Sequence, residues 1–165
     1  MGKTIKLAVF LAVISALSGL CLSFVNSQTA PIIAENGSSK ETEYLTKIFE
    51  NAKFTEKDVS GEFVKKQYTC DAGTAYKIEV KGYGADGISF LLGIDTEGQY
   101  VGYEVLNYSS ETSGIGDQIA GEDFKASVLE ATADDEVDTI SGATISSQAV
   151  VNGINEAAEL FSSSK

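Results

Sequence analysis

The chain has 165 residues with 43% hydrophobic content, which fits one domain of ordinary size plus a short extra segment. Twelve lysines, no arginine and no histidine stand against 24 acidic residues, a formal net charge of −12. This balance disfavours nucleic acid and anionic lipid headgroups, and the missing residue types exclude a Ser-His-Asp triad, a histidine metal site and a bidentate arginine clamp.

Leu7 to Val25 is a run of 19 residues without a charge. As a helix it spans about 28 Å, close to the thickness of a hydrocarbon core. Lys3 and Lys6 precede it, and the next lysine is Lys40. The positive-inside rule therefore predicts a single-pass anchor over residues 1–26, with a cytoplasmic N-terminus and everything after it outside the cytoplasm. The alternative is a cleaved leader, with Val25-Asn26-Ser27 as its best cleavage signal. Cys21 lies inside the apolar run and Cys70 far from it, so a disulfide between them is not expected.

Residues 27–40 read as a tether, containing Pro31 and Asn36-Gly37-Ser38-Ser39. The exterior domain then covers residues 41–165. With its tether it holds 10 lysines against all 24 acids, a net charge of −14. A helix is predicted from about Glu41 to Ala52, with Tyr44, Leu45, Ile48, Phe49 and Ala52 on one face. Three strands follow: Ala75 to Val80, Ile88 to Ile94 and Tyr100 to Tyr108. Thr96-Glu97-Gly98-Gln99 reads as a hairpin turn between the last two. A short helix is predicted near Phe124 to Ala131. A longer one runs from about Thr144 to Phe161, with Val150, Ile154, Ala157 and Phe161 recurring at helical spacing. The expected class is α+β: a small antiparallel sheet flanked by helices, preceded by one transmembrane helix.

Gly82-Tyr83-Gly84-Ala85-Asp86-Gly87 matches the dinucleotide fingerprint as a string. That fingerprint needs its last glycine to open a helix onto pyrophosphate. Here the strand-like Ile88-Ser89-Phe90-Leu91-Leu92 follows, so the glycines read as a turn requiring positive φ. The acidic run Asp134-Asp135-Glu136 reads as a solvated loop, because consecutive carboxylates cannot flank one substrate bond.

The stretch from Asp138 to Ser147, Asp-Thr-Ile-Ser-Gly-Ala-Thr-Ile-Ser-Ser, is a small-residue, hydroxyl-rich turn entering a helix. Such a turn offers unpaired backbone N–H groups and a favourable macrodipole to a phosphate. Its bland reading is a helix cap supplied by Ser141 or Thr144.

Asp138 with Ser141-Gly142-Ala143-Thr144 resembles the flavinylation motif of the FMN-binding domain family. Glu111-Thr112-Ser113-Gly114-Ile115-Gly116 resembles that family's Glu-Thr-Pro-Gly-Leu-Gly loop, with Ser113 in place of proline. Gly82-Tyr83-Gly84 resembles its glycine-rich hairpin, and Thr29-Ala30-Pro31-Ile32-Ile33 its juncture after the anchor. The ordered set is similar to the G subunit of Rnf-type electron-transport complexes and to the related C subunit of sodium-translocating NADH:quinone reductases.

The resemblance implies FMN bound covalently through its phosphate to Thr144. It implies Asp138, Ser141, Gly142 and Ala143 as the rest of the recognised string, and Glu111, Thr112, Gly114, Ile115 and Gly116 near the flavin. The implied partners are a flavin transferase that uses FAD and the other membrane subunits of a complex coupling electron flow to Na⁺ or H⁺ transport. The alternatives are a free-standing anchored flavoprotein feeding a reductase, and a cofactor-free surface binding module. In the redox reading the chain is a subunit of a translocase rather than an autonomous enzyme. FMN would do the redox chemistry, and the acidic surroundings imply a low reduction potential.

Overall fold

The computed structural model describes residues 2–50 and 52–164, without the side chains of residues 30–38. Two units divide the chain, Met1–Ser39 and Lys40–Lys165.

Helix α1 spans Gly2–Ile48. Its stretch Gly2–Thr29 is long and apolar enough to cross a membrane, and none of it is buried within the protein. Leu7, Phe10, Leu17, Leu20 and Phe24 are all exposed, as lipid-facing side chains are. Most of the expected tether falls on residues 30–38, whose side chains lie outside the described residues.

The second unit is built on a five-stranded antiparallel meander in the order β1-β2-β3-β4-β5. The strands are β1 (Thr55–Asp58), β2 (Val64–Cys70), β3 (Gly73–Val80), β4 (Ile88–Asp95) and β5 (Tyr100–Asn107). Sequence reading predicted the last three and missed the first two. The reason is chemical. All four residues of β1 are exposed, and β2 fully buries only Val64 and Tyr68, so neither shows clear apolar alternation. The turn between β4 and β5 is as predicted. Gly98 there takes φ +102°, and the Asp95 carboxylate accepts N–H bonds from Glu97, Gly98 and Gln99 at 2.8–2.9 Å.

A 3-10 turn at Gly116–Ala120 leads into α2 (Glu122–Glu130), and α3 (Thr144–Ser163) closes the chain. Tyr76, Ile78, Phe90, Leu92 and Tyr103 on one sheet face form the main core with Val128 of α2 and Val150, Ile154, Ala157 and Phe161 of α3. The predicted face of α3 is therefore the buried one. Each such aliphatic side chain contributes about 1.5–3 kcal/mol on burial.

The opposite sheet face packs Tyr68, Ala75 and Leu91 against Leu45 and Phe49 at the end of α1, with Tyr44, Ile48 and Ala52 beside them. This is the apolar face expected from the sequence. Gly93 and Gly102, paired across β4 and β5, leave a dimple for Ile48. A Cβ at either position would meet the Ile48 side chain at 2.3–2.4 Å. On the same face Glu41 accepts hydrogen bonds from the Tyr68 hydroxyl and, at 2.6 Å, from Lys77. Covered on both faces, β4 buries six of its eight residues, which is why it reads as a continuous apolar run.

Candidate functional site

Three connections converge on the first turn of α3: the β3–β4 loop at 82–87, the loop 108–116 after β5, and the turn 140–143. They enclose a cavity of about 420 Å³, within the usual range for small-molecule sites.

The turn 140–143 is closed by the Ala143 N–H donating to the Ile140 carbonyl at 3.0 Å. Gly142 sits at its third position with φ +86°, the conformation a type II turn requires there. Beneath it, the fully buried Ser147 accepts from the Ile140 N–H at 3.0 Å and donates to the Ala143 carbonyl at 3.0 Å. The entry to α3 is thus held from below.

From above it is open. Ala143 is the N-cap, and no side chain caps the helix. The bland reading of this turn, with Ser141 or Thr144 as the cap, is therefore wrong. Ser147 takes the inward bonding role instead, so the first-turn N–H groups receive no side-chain acceptor. Thr144 is the first residue of α3, exposed and on the cavity wall.

Glu111 joins the three connections. Its Oε1 accepts from the Gly84 N–H at 2.9 Å, and its Oε2 from the Ser146 hydroxyl at 2.5 Å. The carboxylate is buried, and its seat exists because two neighbours lack side chains. A Cβ on Gly82 would lie 2.4 Å from Glu111 Oε1, and one on Gly116 would lie 2.5 Å from Oε2. Gly82 and Gly84 therefore serve close approach and do not take positive φ. Of the loop's three glycines only Gly87 does, at +73°. β4 follows directly, so the loop opens no helix and the dinucleotide reading stays discarded.

Loop 108–116 is braced internally. The Thr112 carbonyl accepts from Ile115 at 3.1 Å and from Gly116 at 2.9 Å, and Asp117 accepts from the Gly114 N–H at 2.7 Å. Below the 3-10 turn, Tyr103 donates to the Ile119 carbonyl at 3.0 Å, and burial pushes its phenol pKa up.

Of the residues singled out from the sequence, Glu111, Thr112, Ile115, Gly116, Gly142, Ala143 and Thr144 line the cavity. Gly114 and Ser141 are exposed and do not line it. Asp138 lines a separate depression of about 350 Å³, with Gln118, Glu122, Asp123, Phe124 and Ile140 among its walls.

Sequence reasoning missed Tyr83, Ile145 and Ser146 as wall residues. Tyr83, Ile115 and Ile145 are 70%, 47% and 60% exposed, and they account for three of the five large apolar side chains exposed outside α1 among the described residues. Their gathering at one cavity was the available signal, but it exists only in three dimensions. The 350 Å³ depression has no such apolar rim.

Among the wall residues Glu111 alone carries a formal charge. Exposed apolar side chains suit a flat ring system, and an uncapped helix start suits a phosphate. A Cβ at Gly142 would meet nothing within 4 Å, so a ligand could approach the backbone there. The residues present therefore fit FMN.

Comparison with known proteins gives the same answer. Residues 82–159 match the FMN-binding domain, a span that includes every wall of the cavity. The chain is 30% identical to the G subunit of the ion-translocating oxidoreductase complex of Methanosarcina acetivorans, covering 95% of this chain and 94% of that one. It is 26% identical to the G subunit of the proton-translocating ferredoxin:NAD(+) oxidoreductase complex of Clostridium ljungdahlii, covering 87% and 83%.

The chain belongs to the FMN-binding domain family. The meander and α3 form the frame, and the cavity lies where the loop before β4 and the loop after β5, at one end of that hairpin, reach the start of α3.

Proposed function

We propose that this chain is the membrane-anchored, electron-transferring flavoprotein subunit of an ion-translocating complex, with FMN esterified through its phosphate to Thr144. The carrying observation is the setting of Thr144. Its side chain is exposed on the wall of a cavity rimmed by Tyr83, Ile115 and Ile145, at the start of a 20-residue helix with no side-chain cap. With an ester there, the first-turn N–H groups would hold the phosphate and Tyr83, Ile115 and Ile145 would offer apolar surface to the flavin. Bound FMN would supply the redox chemistry.

Esterification with FAD as donor joins Thr144 Oγ1 to the FMN-side phosphorus. The pyrophosphate bond breaks, AMP leaves, and the hydroxyl proton passes to a base. Thr144 has no hydrogen-bonded base among the described residues, which supports a separate flavin transferase as the catalyst. Asp138 and Ser141 are both exposed, as a sequence read by such an enzyme must be. The complex is inferred from relatives named as G subunits over nearly their full length. The apolar stretch Gly2–Thr29, with Lys3 and Lys6 at its start, supports a cytoplasmic N-terminus and an exterior cavity.

Co-expression with a flavin transferase tests this reading. The denatured protein band should fluoresce as flavin, and Thr144→Ala should abolish the signal. A fluorescent Thr144→Ala band would refute the attachment site. A wild-type band that never acquires flavin would favour a cofactor-free binding module. Multi-helix subunits should co-purify with the solubilised protein.

A further inference from the structure

We infer that Glu111 is a specificity-determining residue that makes the cavity disfavour free FMN, with its phosphate monoester, relative to riboflavin and to the singly charged tethered diester. The inference rests on the reading of the cavity as a flavin site and concerns why that site would need a covalent bond.

The argument is electrostatic. Glu111 Oε2 sits 2.5 Å from the hydroxyl of Ser146, the third residue of α3, while Thr144 is the first. A full negative charge is thus fixed beside the same helix start that a phosphate at Thr144 would use. A helix N-terminus offers about half a positive charge, so one carboxylate outweighs it and the local field is negative. Both carboxylate oxygens accept hydrogen bonds.

Among the described residues no lysine lines the cavity: Lys125 is paired with Glu104 at 2.6 Å, and Lys81, exposed beside Gly82, is not one of the walls. A phosphate monoester carries about −1.5 to −2 near neutral pH, whereas a diester carries one charge. The monoester therefore meets the larger repulsion. The diester gains the first-turn N–H groups at a smaller penalty, and riboflavin, without phosphate, meets none. In the unloaded protein the cavity stays clear of adventitious FMN, and Thr144 remains open to modification.

Riboflavin and FMN differ only by the phosphate and serve as probes. Both are titrated into the full-length Thr144→Ala protein in detergent at low ionic strength, with quenching of flavin fluorescence as the readout. Riboflavin is expected to bind roughly fivefold or more tightly than FMN, since charges in one partly buried site interact by more than about 1 kcal/mol. Adding Glu111→Gln should shrink that preference below about twofold, because glutamine still accepts from the Gly84 N–H, turns its amide N–H toward the Ser146 hydroxyl as donor, and loses the charge. Raising salt to about 0.5 M should also shrink it with Glu111 intact.

FMN binding at least as tightly as riboflavin in Thr144→Ala overturns the inference. So does a preference that Glu111→Gln leaves unchanged, or a failure of both flavins to bind. Hydrogen exchange of the Gly84 amide reports whether Glu111→Gln keeps the cavity's shape. If that amide is released, the salt arm decides, and a salt-independent preference overturns the inference. The parent reading fails separately: it loses its covalent fluorescent band, whatever the charge preference of the unloaded cavity.

Discussion

Replacing Glu111 with alanine should collapse the link between the walls of the cavity. In the folded protein the Gly84 N–H and the Ser146 hydroxyl both donate to this one carboxylate, and both residues are buried. Alanine leaves two buried donors without an acceptor, at about 1–3 kcal/mol each. Removing a buried charge returns part of that, because its desolvation cost disappears as well. The net expectation is a loss of about 2–4 kcal/mol for Glu111→Ala and under about 1.5 kcal/mol for Glu111→Gln, which retains an acceptor for Gly84 and a polar partner for Ser146. Ser146→Ala removes one of the two bonds and should cost about 1–2 kcal/mol. Urea unfolding of the full-length protein in detergent, followed by tyrosine fluorescence, gives the order; exchange at the Gly84 amide gives the location. Equal losses for the alanine and glutamine variants, or an unaltered Gly84 amide in Glu111→Ala, would refute the argument.

Further expectations concern other parts of the molecule. Thr144→Ser should keep covalent flavin, since the ester needs only a hydroxyl at that position, and in-gel fluorescence would show otherwise. Gly116→Ala should cost about 1–3 kcal/mol, because its Cβ would fall 2.5 Å from Glu111 Oε2; an unchanged unfolding midpoint would contradict that close approach. Burial pushes Tyr76 and Tyr100 up to about 12. The unfolded phenols ionise near about pH 10, so this stabilisation is complete below that pH and is lost as pH rises toward about 12. Among the described residues the Tyr100 hydroxyl has no hydrogen-bond partner, so Tyr100→Phe should be neutral or stabilising and should reduce the loss above about pH 10, as measured by unfolding across that range. The loaded protein should titrate at a potential below that of free FMN, since the sole charge on the cavity wall is negative and resists added negative charge on the flavin.

Much of this protein was legible in its sequence because the signals were local. The charge-free run Leu7 to Val25 needs no tertiary context to read as a span. Strands β3 and β5 and helix α3 carry their periodicities, and β4 its continuous apolar run, because their buried faces are set by neighbouring layers of constant geometry. The string from Asp138 to Thr144 marked the start of α3 and the hydroxyl that stands there. The edge strand β1 and its neighbour β2 were not legible, since an exposed strand held by backbone pairing, and one that buries only Val64 and Tyr68, have little apolar pattern to show.

The site's interior was decided by tertiary structure alone. Nothing in the spacing of Gly84, Glu111 and Ser146 announces that one carboxylate will bond the other two across separations of 27 and 35 residues. Nor does it announce that Gly82 and Gly116 are small to make room for that carboxylate. Tyr83, Ile115 and Ile145 look like scattered surface residues until the meander and α3 bring them to one opening. The sequence by itself determined that a hydroxyl-rich turn opens α3 at Thr144; only the fold placed the buried Glu111 carboxylate against Ser146, two residues on, because a hydrogen bond between distant loops follows from packing and not from local order.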